Sequence, residues 1–191
     1  VKVTIPRYCR VNRVIRDIPS TNVVAGNKRT SLRQDVQEEL RRRGQKCQCV
    51  RCREVSKQEV SPKELALHDL VYPAGGAEEH FISFDTPEDH LAGFLRLSLP
   101  GPDSPQTGIA ALENAAIIRE VHVYGQSLEV GAAKNGAAQH RGLGTKLLQE
   151  AERVARGKGY SRLAVISAIG TRIYYLNRGF QRGELYLYKN L

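Results

Sequence analysis

The sequence predicts an α+β (mixed α/β) fold, with a central, mostly antiparallel sheet flanked by helices and a small basic module ahead of it. Three observations predict it. From Val60 onward, short runs with strand-type alternation are separated by turn residues. The later half then reads strand, helix, strand, helix, strand, an order that belongs to a layered α/β arrangement. The charge is also divided: residues 1–60 hold 15 Lys+Arg against 6 Asp+Glu and all four cysteines, whereas residues 61–191 hold 14 of each charge. The expected organisation is therefore a basic, cysteine-bearing region over 1–60 and an α+β domain over 61–191. With 191 residues and 41% hydrophobic composition, the chain can bury one good core plus a small module.

The elements follow in order. Val11, Val14, Ile15 and Ile18 lie among arginines and break at Pro19, which predicts a short irregular stretch. Thr30 or Ser31 caps a helix running to Arg43, with Leu32, Val36 and Leu40 on one face and Gly44 as its stop. Leu65–Tyr72, Glu79–Asp85 and Leu91–Leu99 read as strands, Pro100–Asn114 as a loop, and Ile117–Tyr124 as the best single strand. A glycine- and alanine-rich connection over Gly125–Ala138 precedes a helix from Gly142 to about Arg156. A strand over Arg162–Ile169, a short helix over Thr171–Asn177 and a strand over Gly179–Tyr188 complete the chain. No stretch approaches the roughly 18 apolar residues of a membrane span, and VKVTIPRY lacks the apolar run of a secretory signal. A cytoplasmic location with no membrane partner is expected. The sequence contains no Met and opens on Val1, so it is expected to be a piece of a longer polypeptide.

The four cysteines are Cys9, Cys47, Cys49 and Cys52. In a reducing compartment three thiols within six residues read as metal ligands before disulfides, because thiolates are good zinc donors. The CxCxxC spacing lets three sulfurs converge from one turn. Cys9 is the natural fourth ligand, with His68, His80 or His90 as substitutes; an iron-sulfur cluster and isolated buried thiols are the alternatives. The positive excess in the same region is the footprint of a polyanion-binding surface, with Arg41, Arg42 and Arg43 as candidate nucleic-acid contacts. Cations at a helix C-terminus are also favoured by its dipole, so these arginines have a purely structural reading as well.

The segment QHRGLGTKLLQEAERVA sets Gly142 and Gly144 between a loop and an amphipathic helix whose inner face is Leu147, Leu148, Ala151 and Val154. Two glycines let a ligand approach the backbone, and the free N–H groups of a first helical turn bind a pyrophosphate. The pattern is neither a Walker loop nor a dinucleotide fingerprint. By itself it specifies an anion at a helix N-terminus, or only a helix start.

The order of its neighbours resembles the GNAT acetyltransferase superfamily. The Q/R-x-x-G-x-G/A signature is matched by Gln139, His140, Arg141, Gly142, Leu143 and Gly144, and Tyr174, Tyr175, Asn177, Gly179 and Phe180 match the tyrosine-bearing helix and closing strand. The resemblance implies a GNAT-type fold with acetyl-coenzyme A as cofactor. The pantetheine arm would pair with the backbone of Glu120, Val121, His122 and Val123. The phosphates would meet Gln139, Arg141, Gly142, Leu143, Gly144, Thr145 and Lys146. Tyr175 would lie by the thioester; Tyr174 and Tyr175 are adjacent on a helix and point about 100° apart, so one of them faces it. Glu120 and His122 are candidate bases that share one strand face.

REVHVYG, the glycine turn, AVISAIGTRIYYLNRGF, RVNRVIRDIPS and CREV together look like the C-terminal half of the Elongator catalytic-subunit family. That resemblance covers nearly the whole chain and implies that residues 1–60 are a linker and zinc region forming a tRNA-binding face. It implies acetyl-coenzyme A cleavage on tRNA binding and modification of carbon 5 of wobble uridine 34. The full-length protein would carry a radical-SAM domain with a 4Fe-4S cluster and S-adenosylmethionine, whose cysteine motif this chain lacks. A protein lysine N-acetyltransferase and a non-catalytic tRNA-binding module are the competing readings.

Overall fold

The computed structural model describes residues 1–12, 14, 19–29, 31–55, 60–124 and 142–191. They form two compact units, Val1–Glu54 and Val55–Leu191. In the first, helix α1 (Leu32–Arg42) begins after Ser31, whose carbonyl accepts the first helical bonds from Gln34 and Asp35. Asp35 in its first turn is bonded to Arg29 at 2.8 Å. The helix stops at Gly44, which adopts φ 63°, a left-handed conformation that suits a residue without Cβ. Leu32, Val36 and Leu40 are only half-buried within the chain. A single turn, α2 (Val50–Arg53), follows, and its first N–H donates to the Cys9 carbonyl at 2.9 Å.

The second unit is a seven-stranded sheet in the order β1-β2-β3-β4-β5-β7-β6. Strands β1 (Ala66–Ala74) and β2 (Ala77–Asp85) form a hairpin. Its two turn residues, Gly75 and Gly76, both take positive φ, as a two-residue turn matched to strand twist demands. Strands β3 (Leu91–Pro100) and β4 (Ala115–Val123) continue the antiparallel meander. Helix α3 (Leu143–Gly157) then crosses the sheet, and β5 (Arg162–Val165) pairs parallel with β4. Helix α4 (Arg172–Leu176) and the short strands β6 (Gln181–Arg182) and β7 (Leu187–Asn190) close the unit.

Two elements differ from the sequence expectation. The expected strand Arg162–Ile169 ends at Val165, because its partner β4 pairs with it only as far as Ile118 and Ile166 is already 61% exposed. The expected strand Gly179–Tyr188 is broken into a tight hairpin at Gly183, whose N–H donates to Tyr186 O. A Cβ on Gly183 would stand 2.7 Å from that same oxygen, so only glycine closes the turn.

The core is where α3 lies on the sheet. Leu143, Leu147, Leu148, Ala151, Val154 and Ala155 recur at helical spacing and bury against Ile82, Leu95, Leu97, Ile118, Leu163 and Val165. Leu147 is fully buried. Leu147→Ala is expected to cost about 3 kcal/mol from lost burial plus the residual cavity, read as a lowered urea midpoint at unchanged slope.

Candidate functional site

The site is built from an interruption in the sheet. Between β3 and β4 the register shifts after Arg96: Arg96 opposes Glu120, but Leu97 opposes Ile118, so Arg119 is an extra residue. Such a bulge bends its strand. Strand β4 pairs with β5 over Ala115–Ile118 and not beyond, so past the bulge the backbone of residues 120–123 has no partner on the β5 side among the described residues. The same bulge sorts the side chains. Val121 and Val123 face α3, whereas Glu120 and His122 share the other face.

Into this opening points the start of α3. Gly142, at φ 109°, precedes it, and among the described residues no side chain caps it. The first intrahelical bond runs from Lys146 N–H to Gly142 O at 2.8 Å, which leaves the N–H groups of Leu143, Gly144 and Thr145 without helical acceptors at the positive end of the dipole. A cavity of about 470 Å³ lies there, lined by Val121 and Val123 of β4, Gly142, Gly144 and Thr145, and Thr171, Tyr174, Tyr175 and Arg178. Among the described residues it combines an apolar strand wall, backbone donors without helical acceptors, and phenols. That is a pocket for a ligand with an anionic end and an amide-bearing arm.

The tyrosines are held differently. Tyr175 is 7% exposed, stands edge-on to Tyr174 and Phe180 at 5.3 and 5.4 Å between ring centroids, and belongs to the core. Burial pushes its phenol pKa up; Tyr174 adds to this and Arg178 opposes it. Tyr174 is half-buried, and its hydroxyl sits where a Cβ on Gly144 would be, 2.5 Å away. The missing Cβ of Gly144 thus leaves room for the Tyr174 hydroxyl. Ile173, with an apolar side chain suited to the core, is 68% exposed, which leaves both tyrosines on the cavity. Arg178, which pattern reasoning passed over, bonds Thr145 Oγ1 through Nε (3.1 Å) and Nη2 (3.0 Å). It also bonds Tyr174 O through Nη1 at 2.7 Å.

The remaining sequence-predicted residues are dispersed. Glu120 Oε2 accepts from Arg96 Nε at 3.0 Å, and His122 stacks on Phe94 and Tyr124 at 6.0 and 4.4 Å. Neither side chain lines the cavity. Leu143 contributes backbone only, its side chain being buried in the core, and Lys146 is exposed. Gln139, His140 and Arg141 lie outside the described residues. Arg42 and Arg43 pair with Glu38 and Glu39 one turn back, at 3.0 and 2.7 Å, and Arg41 Nε reaches Gln37 O at 3.5 Å.

The sulfurs of Cys47, Cys49 and Cys52 lie within 4.8 Å of one another, with Cys49 buried. Burial pushes the Cys47 thiol up to about 11. At Cys49 burial also acts upward, but hydrogen bonds from the backbone of Val11 and Cys52 and from its two neighbouring thiols outweigh it and lower the pKa. Three converging sulfurs, one with its thiol pKa lowered, fit a thiophilic metal. Cys9 meets α2 through its carbonyl, and no fourth donor joins the three sulfurs among the described residues. His80 engages Asp69 and Glu78 with its two ring nitrogens, at 2.8 and 3.1 Å.

A strand splayed from its parallel neighbour, with a helix N-terminus aimed into the gap, is the arrangement of an acyltransferase-type fold. The model of the acetyltransferase (GNAT) family matches residues 50–180; the chain belongs to that family. It is 42% identical over 195 residues to a tRNA uridine(34) acetyltransferase of Dehalococcoides mccartyi, covering 100% of this chain and 42% of the relative. It is 40% identical to Elongator complex protein 3 of Danio rerio, over 98% of this chain and 35% of that protein. The solved archaeal Elp3 of Methanocaldococcus infernus, with its N-terminus deleted, superposes with a TM-score of 0.84 at 32% identity, covering 100% of this chain and 46% of that one. The chain thus spans about two fifths of the curated relatives it matches.

Gly144→Glu sets a carboxylate against the Tyr174 hydroxyl and beside the first-turn N–H groups of α3, and is expected to weaken acetyl-coenzyme A binding at least about tenfold. Gly157→Ala, at the open far end of the same helix, is expected to leave calorimetric affinity unchanged.

Proposed function

We propose that this chain is the acetyl-handling half of a tRNA wobble-uridine acetyltransferase, in which acetyl-coenzyme A is cleaved when tRNA is bound. The observation that carries this reading is the full-chain similarity to enzymes named for that reaction, joined to the open acyl cavity between β4 and α3. The charge supports it: the excess of cations in residues 1–60 suits a phosphate backbone, while the acyl unit is neutral overall.

In this reading the N–H groups of Leu143, Gly144 and Thr145 hold the pyrophosphate, and Gln139, Arg141 and Lys146 are assigned to the phosphates. The backbone of Glu120–Val123 pairs with the pantetheine amides, so the thioester lies beside the tyrosine pair. Tyr175 or Tyr174 donates to the departing sulfur; the geometry favours Tyr174, whose hydroxyl stands free of the core at Gly144. Glu120 and His122, on the far face of the opening, are on the acceptor side, where Glu120 with its Arg96 partner is the base candidate. Cleavage breaks the carbonyl carbon–sulfur bond, the sulfur takes a proton, and the acetyl unit passes to the acceptor.

Zinc is assigned to Cys47, Cys49 and Cys52, with Cys9 as the fourth ligand; it would crosslink the basic unit, whose own core is slight. Arg41, Arg42 and Arg43 are the assigned RNA contacts, exchanging Glu38 and Glu39 for phosphates. Completion of the modification is assigned to a radical-SAM domain of the longer protein, with its 4Fe-4S cluster and S-adenosylmethionine, in the cytoplasm.

Release of coenzyme A thiol by the full-length protein is expected to rise about tenfold or more with tRNA, and that stimulation to fall steeply with salt. Stimulation by a basic peptide and none by tRNA would make the protein a lysine acetyltransferase instead.

A further inference from the structure

Arg178 is the one cationic side chain lining the acyl cavity among the described residues. Three of its nitrogens are committed: Nε and Nη2 to Thr145 Oγ1 in the first turn of α3, and Nη1 to the Tyr174 carbonyl one turn back in α4. The guanidinium plane lies over the Tyr174 ring, with Cζ 3.6 Å from the ring centroid, close enough for a stacked cation–π contact. The fork thereby ties two elements 33 residues apart in sequence. Thr145 sits next to Gly144, whose missing Cβ makes room for the Tyr174 hydroxyl. Among the described residues no carboxylate pairs with Arg178, so its charge adds to the positive end of α3.

We infer that Arg178 is a positioning residue of the acyl site, which locks the Tyr174 ring against the first turn of α3 so that its hydroxyl meets the bound coenzyme A thioester in a preset orientation. This rests on the acyl-coenzyme A reading of the cavity. Lysine cannot replace it: an ammonium keeps the charge but lacks the plane that stacks and the fork that grips one hydroxyl and one carbonyl at once. Nor is the clamp a general brace of the fold, since neither Thr145 nor Arg178 is buried in the core and α3 is anchored by its own leucines. Its effect on ligand therefore passes through Tyr174, and the two residues are coupled.

A double-mutant cycle in the full-length protein tests this, with acetyl-coenzyme A affinity by calorimetry, the rate of thiol release and the melting temperature as readouts. Arg178→Met is expected to weaken binding and slow release by roughly five- to tenfold in the native background, and by less than about twofold in a Tyr174→Phe background. Arg178→Lys is expected to behave like Arg178→Met, and it carries the same test if the methionine variant does not fold. Equal losses in both backgrounds, or full rescue by lysine, would show that Arg178 acts independently or as a bare charge and would overturn the inference. Failure of the unsubstituted protein to bind acetyl-coenzyme A would overturn the acyl-site reading itself, and the inference with it.

Discussion

The structure depends on the loss of pairing between β4 and β5. A continuous sheet would satisfy every backbone group along β4 internally and leave nothing for a ligand to bond. The register shift opposite Arg96 and Leu97 bends β4 just where its pairing to β5 ends, at Ile118 and Val165. Unpaired strand edges and helix ends both carry polar groups that must find partners. Among the described residues the two deficits face one cavity, and under the proposed function a molecule carrying amides and phosphates supplies what both lack. The parallel β4–β5 pair requires a crossover, and α3 is that crossover, so the helix N-terminus necessarily arrives near the C-terminal end of β4.

The bulge also divides labour between the two faces. By placing one extra residue, it turns Val121 and Val123 toward α3 and Glu120 and His122 away from it. The strand wall of the cavity is consequently apolar, and the other face of β4 carries the titratable groups, Arg96–Glu120 and Arg119–Glu79. A carboxylate on the cofactor side would repel phosphates. The unit Val1–Glu54 follows a different logic. Its helix α1 has no fully buried residue, and three converging thiols stand where a larger domain would have a core.

Much of this was legible in the sequence because it rests on local signals. The stripe Leu147, Leu148, Ala151 and Val154 announced α3, the glycines at 142 and 144 announced its start, which lines the cavity, and three cysteines within six residues announced their own convergence. What escaped depends on tertiary context. The break at Gly183 follows from an oxygen three residues on, and the end of β5 from the departure of its partner. How Tyr174 and Tyr175 are held depends on Gly144, whose missing Cβ admits the Tyr174 hydroxyl, and on the burial of Tyr175 in the core. Arg178 was invisible because its importance lies in reaching Thr145 across 33 residues, and no periodicity records that.

The central claim is that the first-turn amides of α3 and the unpaired edge of β4 together bind acyl-coenzyme A. A crystal structure of the full-length protein with a non-hydrolysable acetyl-coenzyme A analogue tests it most directly. The account predicts pyrophosphate oxygens within hydrogen-bonding distance, about 2.7–3.2 Å, of the N–H groups of Leu143, Gly144 and Thr145, and a pantetheine amide paired with the backbone of Val121 or Val123. An analogue whose phosphates lie elsewhere, with β4 unpaired beside it, would contradict the account.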